Sequence, residues 1–533
     1  MKLFLRCSFL FLLFIGFSAK SKAQSVGDYR TFAAGAFNST AVWQSFNGLF
    51  WINTTVAPTN SSGTITILHS ITIASNLSVN ADQLVISTGG TLTISNGTLN
   101  LFNGTGNDLT ISGGTLTLNN ALAAINAPSG AAAIVATSGT VNLSSGTLAA
   151  GLSFYNYSPT TLNIVQSSGT TFTLNGNLYN FSGNATWNAI SSNFIIGSNG
   201  YFSIESGAAL NIIGSGNVYI ESTSSSALSG SFAVFGTVTK TTASTLYINS
   251  SYFYNYGTFQ LTTIASTVYI NSGGWSVGTF AATISGSIFN YETTTKILYA
   301  GTTLSGSGVH NINAPIAYFV NGTSAFNFSS TINFNVPTDI PSDINITGSV
   351  LNCNRGVIFE GPGYTVFRGN SQITNGTFGS FTTTVNDTLS IQPSFGTTAG
   401  PSAVTINSNV TIGGPMITSP TSVCQLNGTG TAYFSGNYLS NGGRIVNTNF
   451  KFIGNSVQQV TGATGTIATA EIDNANTVQF AANHTISTAL TFTTGKINIF
   501  YKLFIPGTAS ITGYGTSKYF YGGGYLKRTL SPS

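Results

Sequence analysis

Charge is what this sequence has least of. Lys, Arg, Asp and Glu together make 5% of the 533 residues, against about 25% in an ordinary soluble domain. Disorder by self-repulsion is excluded, because that state needs high net charge and few apolar residues, and here 42% are apolar. Histidine occurs three times, at 69, 310 and 484. None has a Cys or His at ligand spacing, so no zinc motif is present. A calcium loop of the D-x-D-x-D-G kind is also missing, so the sequence assigns no metal and no cofactor. Of the three cysteines, Cys7 lies near the N-terminus, leaving Cys353 and Cys424. No stretch after the first 23 residues offers the 18 apolar residues of a transmembrane helix. Long amphipathic patterns with apolar residues at i, i+3 and i+4 are missing too, which excludes a helical protein.

The first residues carry the rest of the charge argument. Met1 to Arg6 is a basic start, Phe9–Phe17 an apolar run, and Ser21-Lys22-Ala23 a small-residue cleavage site. That is the layout of a secretory signal peptide over residues 1–23, so the expected location is secreted, extracellular or on the outer cell surface. Lys2, Arg6, Lys20 and Lys22 are four of the 16 basic residues; removing them leaves 12 against 12 acids. Between Arg30 and Lys240 there is no other Lys or Arg. A nucleic-acid binder needs a basic stripe, so nucleic acid is not an expected partner.

What is abundant is Thr, Ser, Asn and Gly between short runs of Leu, Ile, Val and Phe. These suit strands joined by tight turns. The runs repeat. Gln83-Leu84-Val85-Ile86-Ser87 returns 25 residues later as Asp108-Leu109-Thr110-Ile111-Ser112. Gly89-Gly90-Thr91-Leu92-Thr93-Ile94 returns after 24 as Gly113-Gly114-Thr115-Leu116-Thr117-Leu118, and after 25 more as Ser138-Gly139-Thr140-Val141-Asn142-Leu143. Val218-Tyr219-Ile220, Leu246-Tyr247-Ile248 and Val268-Tyr269-Ile270 continue the theme at steps of 28 and 22. A landmark returning at 24–25 residues fits one coil of a solenoid better than a sandwich. The expected fold is all-β: a right-handed parallel β-helix of roughly 20 coils over residues 61–533. Residues 24–60, with Trp43 and Trp51 and little repeat character, are the expected N-terminal cap. Cys353 and Cys424 fall about three coils apart, roughly 14 Å at 4.8 Å per coil, too far for a disulfide.

Gly27-Asp28-Tyr29-Arg30-Thr31, then Ala41-Val42-Trp43-Gln44 and Asn47-Gly48-Leu49-Phe50-Trp51, form one group of motifs; Thr494-Gly495-Lys496-Ile497-Asn498 and Gly524-Tyr525-Leu526-Lys527-Arg528-Thr529 form another. Both resemble the ends of large secreted β-helical repeat surface proteins of Bacteroidetes. The resemblance implies export by type IX secretion and a structural role, and it carries no catalytic residue. That family usually continues into a C-terminal sorting domain, which has no counterpart before Ser533.

Two site candidates follow. Parallel β-helices include polysaccharide lyases and glycoside hydrolases, whose chemistry needs converging carboxylates or a base beside stabilising charge. Asp339, Asp343, Arg355, Glu360 and Arg368 form a charge-dense window, with Asp339 and Glu360 21 apart and Asp343 and Arg368 25 apart; Asp339, Asp343, Glu360 and Arg368 are the candidate site residues. A solvated structural ion pair is the bland alternative for them. Tyr252, Tyr254 and Tyr256 alternate along one strand, so they share a face. Tyr219, Tyr247 and Tyr269 recur at the coil step and would extend it. Such rings stack on sugars or simply on each other. The expected function is a structural or adhesin-like surface protein. It would bind neutral surfaces, extracellular polysaccharide or cell-surface matrix through weak repeated contacts. A carbohydrate-active enzyme is the alternative.

Overall fold

The computed structural model describes residues 24–529. It omits 182–184, 223–229, 294–295, 300, 315–317, 321–325, 337, 341–343, 348–349, 354–356, 360–363, 369, 375, 379–387, 393–401, 407–409, 413–415, 419–423 and 441–443. Many residues between 296 and 448 are described by backbone alone. Among the described residues there is no α-helix, and the one helical turn is the 3-10 segment Thr40–Val42.

Coils of three strands stack in parallel. Leu84–Ser87, Thr91–Ile94 and Gly97–Leu101 make one coil, and Leu109–Asn126 runs alongside all three. Within a strand the residues alternate: Leu92 and Ile94 are fully buried while Thr91 and Thr93 are half-buried on the outside. The two landmarks of the sequence repeat are true backbone partners. Leu84 sits under Leu109 and Leu109 under Ile134; Thr91 sits under Thr115 and Thr115 under Thr140. The chain is a parallel β-solenoid.

The coil length is less regular than the repeat suggests. One column of partners runs Ile65, Leu84, Leu109, Ile134, Phe154, Leu178, Phe202, Phe232, Phe253. A second runs Asp339, Ile358, Thr377, Thr411, Tyr433, Lys451, Glu471, Thr491, Thr512. The early steps of 25 give way to many near 20, because turns shorten or lengthen while strands keep register. Cys353 and Cys424 lie on strands of one column, three steps apart through Asn370–Thr374 and Ser402–Ile406.

The bore is filled mainly by stacked apolar side chains, aliphatic in the first coils and mixed aliphatic and aromatic beyond. Phe172, Phe194, Phe202, Phe232 and Phe253 follow one another at 5.3–5.4 Å between ring centroids. Each such ring, fully buried, stabilises the fold by roughly 1.5–3 kcal/mol. At the N-terminal end, Tyr29–Thr31 pairs parallel with Ile65–Ile67 but antiparallel with Trp43–Phe46, which pairs antiparallel with Trp51–Asn53. Stacking therefore already begins within residues 24–60, and the antiparallel strands cover its edge. Trp43 is fully buried and donates its indole N–H to the Phe37 carbonyl at 2.7 Å.

Candidate functional site

Tyr252 and Tyr254 belong to strand Tyr252–Asn255, and Tyr256 follows it. Their partners on the preceding coil are small: Tyr252 is in register with Ser231, and Tyr254 with Ala233. On the next coil, Tyr252 bridges Gly273. Small neighbours leave space for the rings to lie along the sheet. The Tyr252 and Tyr254 centroids are 5.9 Å apart and the Tyr254 and Tyr256 centroids 6.5 Å, with near-parallel planes. The three tyrosines do share one face. Phe235 stacks on Tyr256 at 5.1 Å and 3°. Trp275 packs edge-on against Tyr254 at 4.7 Å, and its indole N–H donates to the Tyr256 hydroxyl.

Exposure separates their roles. Tyr254 is 8% exposed and acts as the floor. Phe235, Tyr256 and Trp275 are each 36–39% exposed, so their outer edges and faces meet solvent. Burial, followed by the neighbouring Tyr252 and Tyr256, raises the Tyr254 phenol above its ordinary pKa. Burial, and next the Glu205 carboxylate, holds the Tyr201 phenol well above the usual range. These groups stay neutral at physiological pH and present aromatic rings rather than charge. The Glu205 carboxylate accepts the Ser203 hydroxyl at 2.6 Å.

The patch is the upper part of a longer aromatic strip. The strands Leu152–Tyr157, Asn177–Phe181, Tyr201–Ile204, Ser231–Val234, Tyr252–Asn255 and Gly274–Ser276 are consecutive rungs of one column. Tyr155 stacks on Tyr179 at 5.2 Å, Tyr157 on Phe181 at 5.0 Å, and Tyr179 meets Tyr201 at 5.7 Å. Five steps of about 4.8 Å make the strip roughly 24 Å long. Tyr219, Tyr247 and Tyr269 do not extend it. They form their own ladder, with centroids 4.8 and 5.1 Å apart, on the column of Asn217–Ser222, Thr245–Asn249 and Thr267–Ile270.

The carboxylate–arginine window gives less. Asp343 and Glu360 lie outside the described residues. Asp339 is in backbone register with Ile358, and Arg368 with Thr347, 21 residues before it. Among the described residues no three His, Cys, Asp or Glu side chains gather as metal ligands. His69 contacts the Thr31 hydroxyl at 3.1 Å, and His310 and His484 are buried. No described helix is long and apolar enough to cross a membrane.

One charged cluster escaped the sequence reading. Lys451 Nζ bridges Glu471 Oε1 at 2.8 Å and Asp473 Oδ2 at 2.9 Å. Thr493 and Thr494 donate their hydroxyls to the same two carboxylates at 2.6 and 3.0 Å. Hydrogen bonds to Glu471, then Asp473, push the Lys451 pKa up to about 12. Its signal was a step of 20 residues from Lys451 to Glu471, which a search at 24–25 passes over. Lys451 offsets one of the two negative charges and each carboxylate accepts a threonine hydroxyl, so the cluster ties coils together. No protein-family model matches the chain, and no curated protein matches it in sequence.

Proposed function

We propose that the chain is a secreted, surface-displayed structural rod of the adhesin type, and that it holds carbohydrate polymers through its aromatic strip. The signal-peptide layout of residues 1–23 and the resemblance to type IX secretion substrates of Bacteroidetes support export and display. The observation that carries the binding role is the half-open platform of Phe235, Tyr256 and Trp275 over the buried Tyr254. Sugar rings present C–H faces that pack on aromatic planes, and exposed phenol hydroxyls supply hydrogen bonds at the rim. The strip runs along the stacking direction, so an extended chain would meet several rings at once. Weak contacts then add through effective concentration. The lyase or hydrolase alternative rests on Asp339, Asp343, Glu360 and Arg368, and no described geometry joins these four.

The test is sedimentation of the mature protein with insoluble neutral polysaccharides, cellulose and chitin serving as probes. Tyr256→Ala combined with Trp275→Ala should release the protein from whichever polymer wild type binds, with its melting temperature little changed. Equal binding by the double variant, or no binding by wild type to either polymer, would sink the proposal.

A further inference from the structure

The chain is neutral after its first 23 residues, but its charge is not spread evenly. No acidic residue follows Asp473, whereas Lys496, Lys502, Lys518, Lys527 and Arg528 all do. Among the described residues the only ion pairs join Lys451 to Glu471 and Asp473. Among the described residues, the five cations of the last coils therefore have no carboxylate within ion-pair distance.

Stacking brings two of them into one concavity. His484, Leu503 and Leu526 are successive backbone partners, as are Thr485, Phe504 and Lys527. The outward residues beside them line a shallow cavity of about 300 Å³ that includes Thr464, Asn483, Thr485, Lys502, Phe504 and Lys527. Lys502 and Lys527 are exposed, and the Lys527 ammonium stands 5.7 Å from the Phe504 ring centroid. A second hollow of about 240 Å³ on the same end holds Lys518, Arg528, Tyr514 and Tyr519. Lys496 lies 5.3 Å above the Tyr519 ring.

We infer that this end of the rod is a binding site for an acidic polysaccharide, a chain bearing carboxylate or sulfate groups. The unpaired ammonium groups supply the charge attraction, which neutral hydroxyl faces elsewhere on the solenoid lack. Phe504 and Tyr519 provide the flat apolar surface for a sugar ring. Thr464, Asn483 and Thr485 offer hydroxyl and amide groups to a ligand rich in hydroxyls. The cavity is at the lower end of the usual size for a ligand pocket, suited to one monosaccharide unit of a longer chain. Four of the five cations are lysines, point charges without the bidentate fork that favours phosphate recognition. The site is independent of the aromatic strip, and neither depends on the other being correct.

The experiment is calorimetric titration of the mature chain with polygalacturonate and with chondroitin sulfate. Fully methyl-esterified polygalacturonate is the uncharged control and a single-stranded oligonucleotide the polyanion control. Binding of at least one acidic polymer is expected; binding confined to chondroitin sulfate, which carries carboxylates as well as sulfates, assigns the sulfate. The esterified polymer should not bind, and the oligonucleotide should bind more weakly. Lys502→Ala with Lys527→Ala should weaken the interaction about tenfold or more, by loss of two charge-assisted contacts. Lys502→Arg with Lys527→Arg should retain it. The idea is overturned if the alanine pair binds like wild type, if the esterified polymer binds equally, if the oligonucleotide binds more tightly, or if neither acidic polymer binds. The strip variants at Tyr256 and Trp275 should leave this titration unchanged, which keeps the two proposals separable.

Discussion

Tyr291 and His310 meet inside the solenoid, the phenol oxygen 3.2 Å from Nδ1, with both residues essentially inaccessible to water. The other ring nitrogen, Nε2, lies 3.3 Å from the Ser305 carbonyl oxygen. A carbonyl only accepts, so Nε2 carries the proton and Nδ1 accepts the tyrosine O–H. The neutral imidazole is thus fully satisfied, and it stacks on Phe289 at 5.3 Å. Burial lowers the His310 pKa to about 4. Unfolded, the ring would titrate near 6.5, so the unfolded state takes up a proton first as pH falls.

The stability linked to His310 is therefore complete above about pH 6.5 and drains away as pH falls through 4. Its size is on the order of 3 kcal/mol at most, from the gap between the two pKa values. Urea unfolding of wild type at pH 7 and pH 4 should show this loss in excess of that shown by a His310→Phe, Tyr291→Phe pair. Identical pH dependence in both proteins would remove His310 as the cause.

The glycine landmarks of the repeat have a physical reason. At Gly139, φ is +98°, and a Cβ would stand 2.2 Å from the Gly114 carbonyl oxygen of the coil below. Backbone cannot yield there without breaking the ladder. Gly139→Ala combines left-handed strain with that clash, so it should destabilise the protein by about 2–4 kcal/mol. Thermal melting decides this. A change below about 1 kcal/mol would mean the turn relaxes freely.

Lys451 holds two carboxylates that sit two residues apart on one strand face. Its side chain is 19% exposed and theirs 33% and 29%, so water screens the contacts only in part. Lys451→Met would leave Glu471 and Asp473 repelling each other. The expected cost is about 1–2 kcal/mol at low ionic strength, shrinking as salt is added. A cost that stays constant from low to high salt would point to lost packing over Tyr433 instead, whose ring lies 6.0 Å from the ammonium.

How far these features were legible differs residue by residue. Leu84, Leu109 and Ile134 announced the solenoid because one landmark at a constant step is what stacked coils require. Shorter coils such as Lys451 to Glu471 were hidden, because turn length varies without cost on the outside of a stacked sheet. Alternation placed Tyr252, Tyr254 and Tyr256 on one face, since strand periodicity alone decides that. It could not assign Tyr247 to a different wall of the coil, because that depends on how many residues each corner consumes. Nor could it bring Trp275 to Tyr254, or Lys502 beside Lys527, which only the stacking of successive coils does. Asp343 and Glu360 lie outside the described residues, so the charged window they belong to stays an expectation from spacing.

The two tyrosine arrays separate stability from binding. Tyr247 is sandwiched between Tyr219 and Tyr269 with planes tilted by 9° on both sides. Each such contact is worth about 0.5–1.5 kcal/mol beyond area burial. Tyr247→Ala removes two of them and should cost about 1–3 kcal/mol, whereas Tyr247→Phe keeps the rings stacked and should cost little. Tyr256 stacks closely on Phe235 only, with Tyr254 farther off at 6.5 Å and the Trp275 indole on its hydroxyl, and it leaves 39% of its surface open. Tyr256→Ala should therefore lose less stability than Tyr247→Ala while losing more polysaccharide binding. Measuring both variants for melting temperature and for polymer sedimentation tests the division directly. If Tyr247→Ala lowers binding as much as Tyr256→Ala does, the ladder on the other wall is also a contact surface. The rod would then present two aromatic faces to its ligand rather than one.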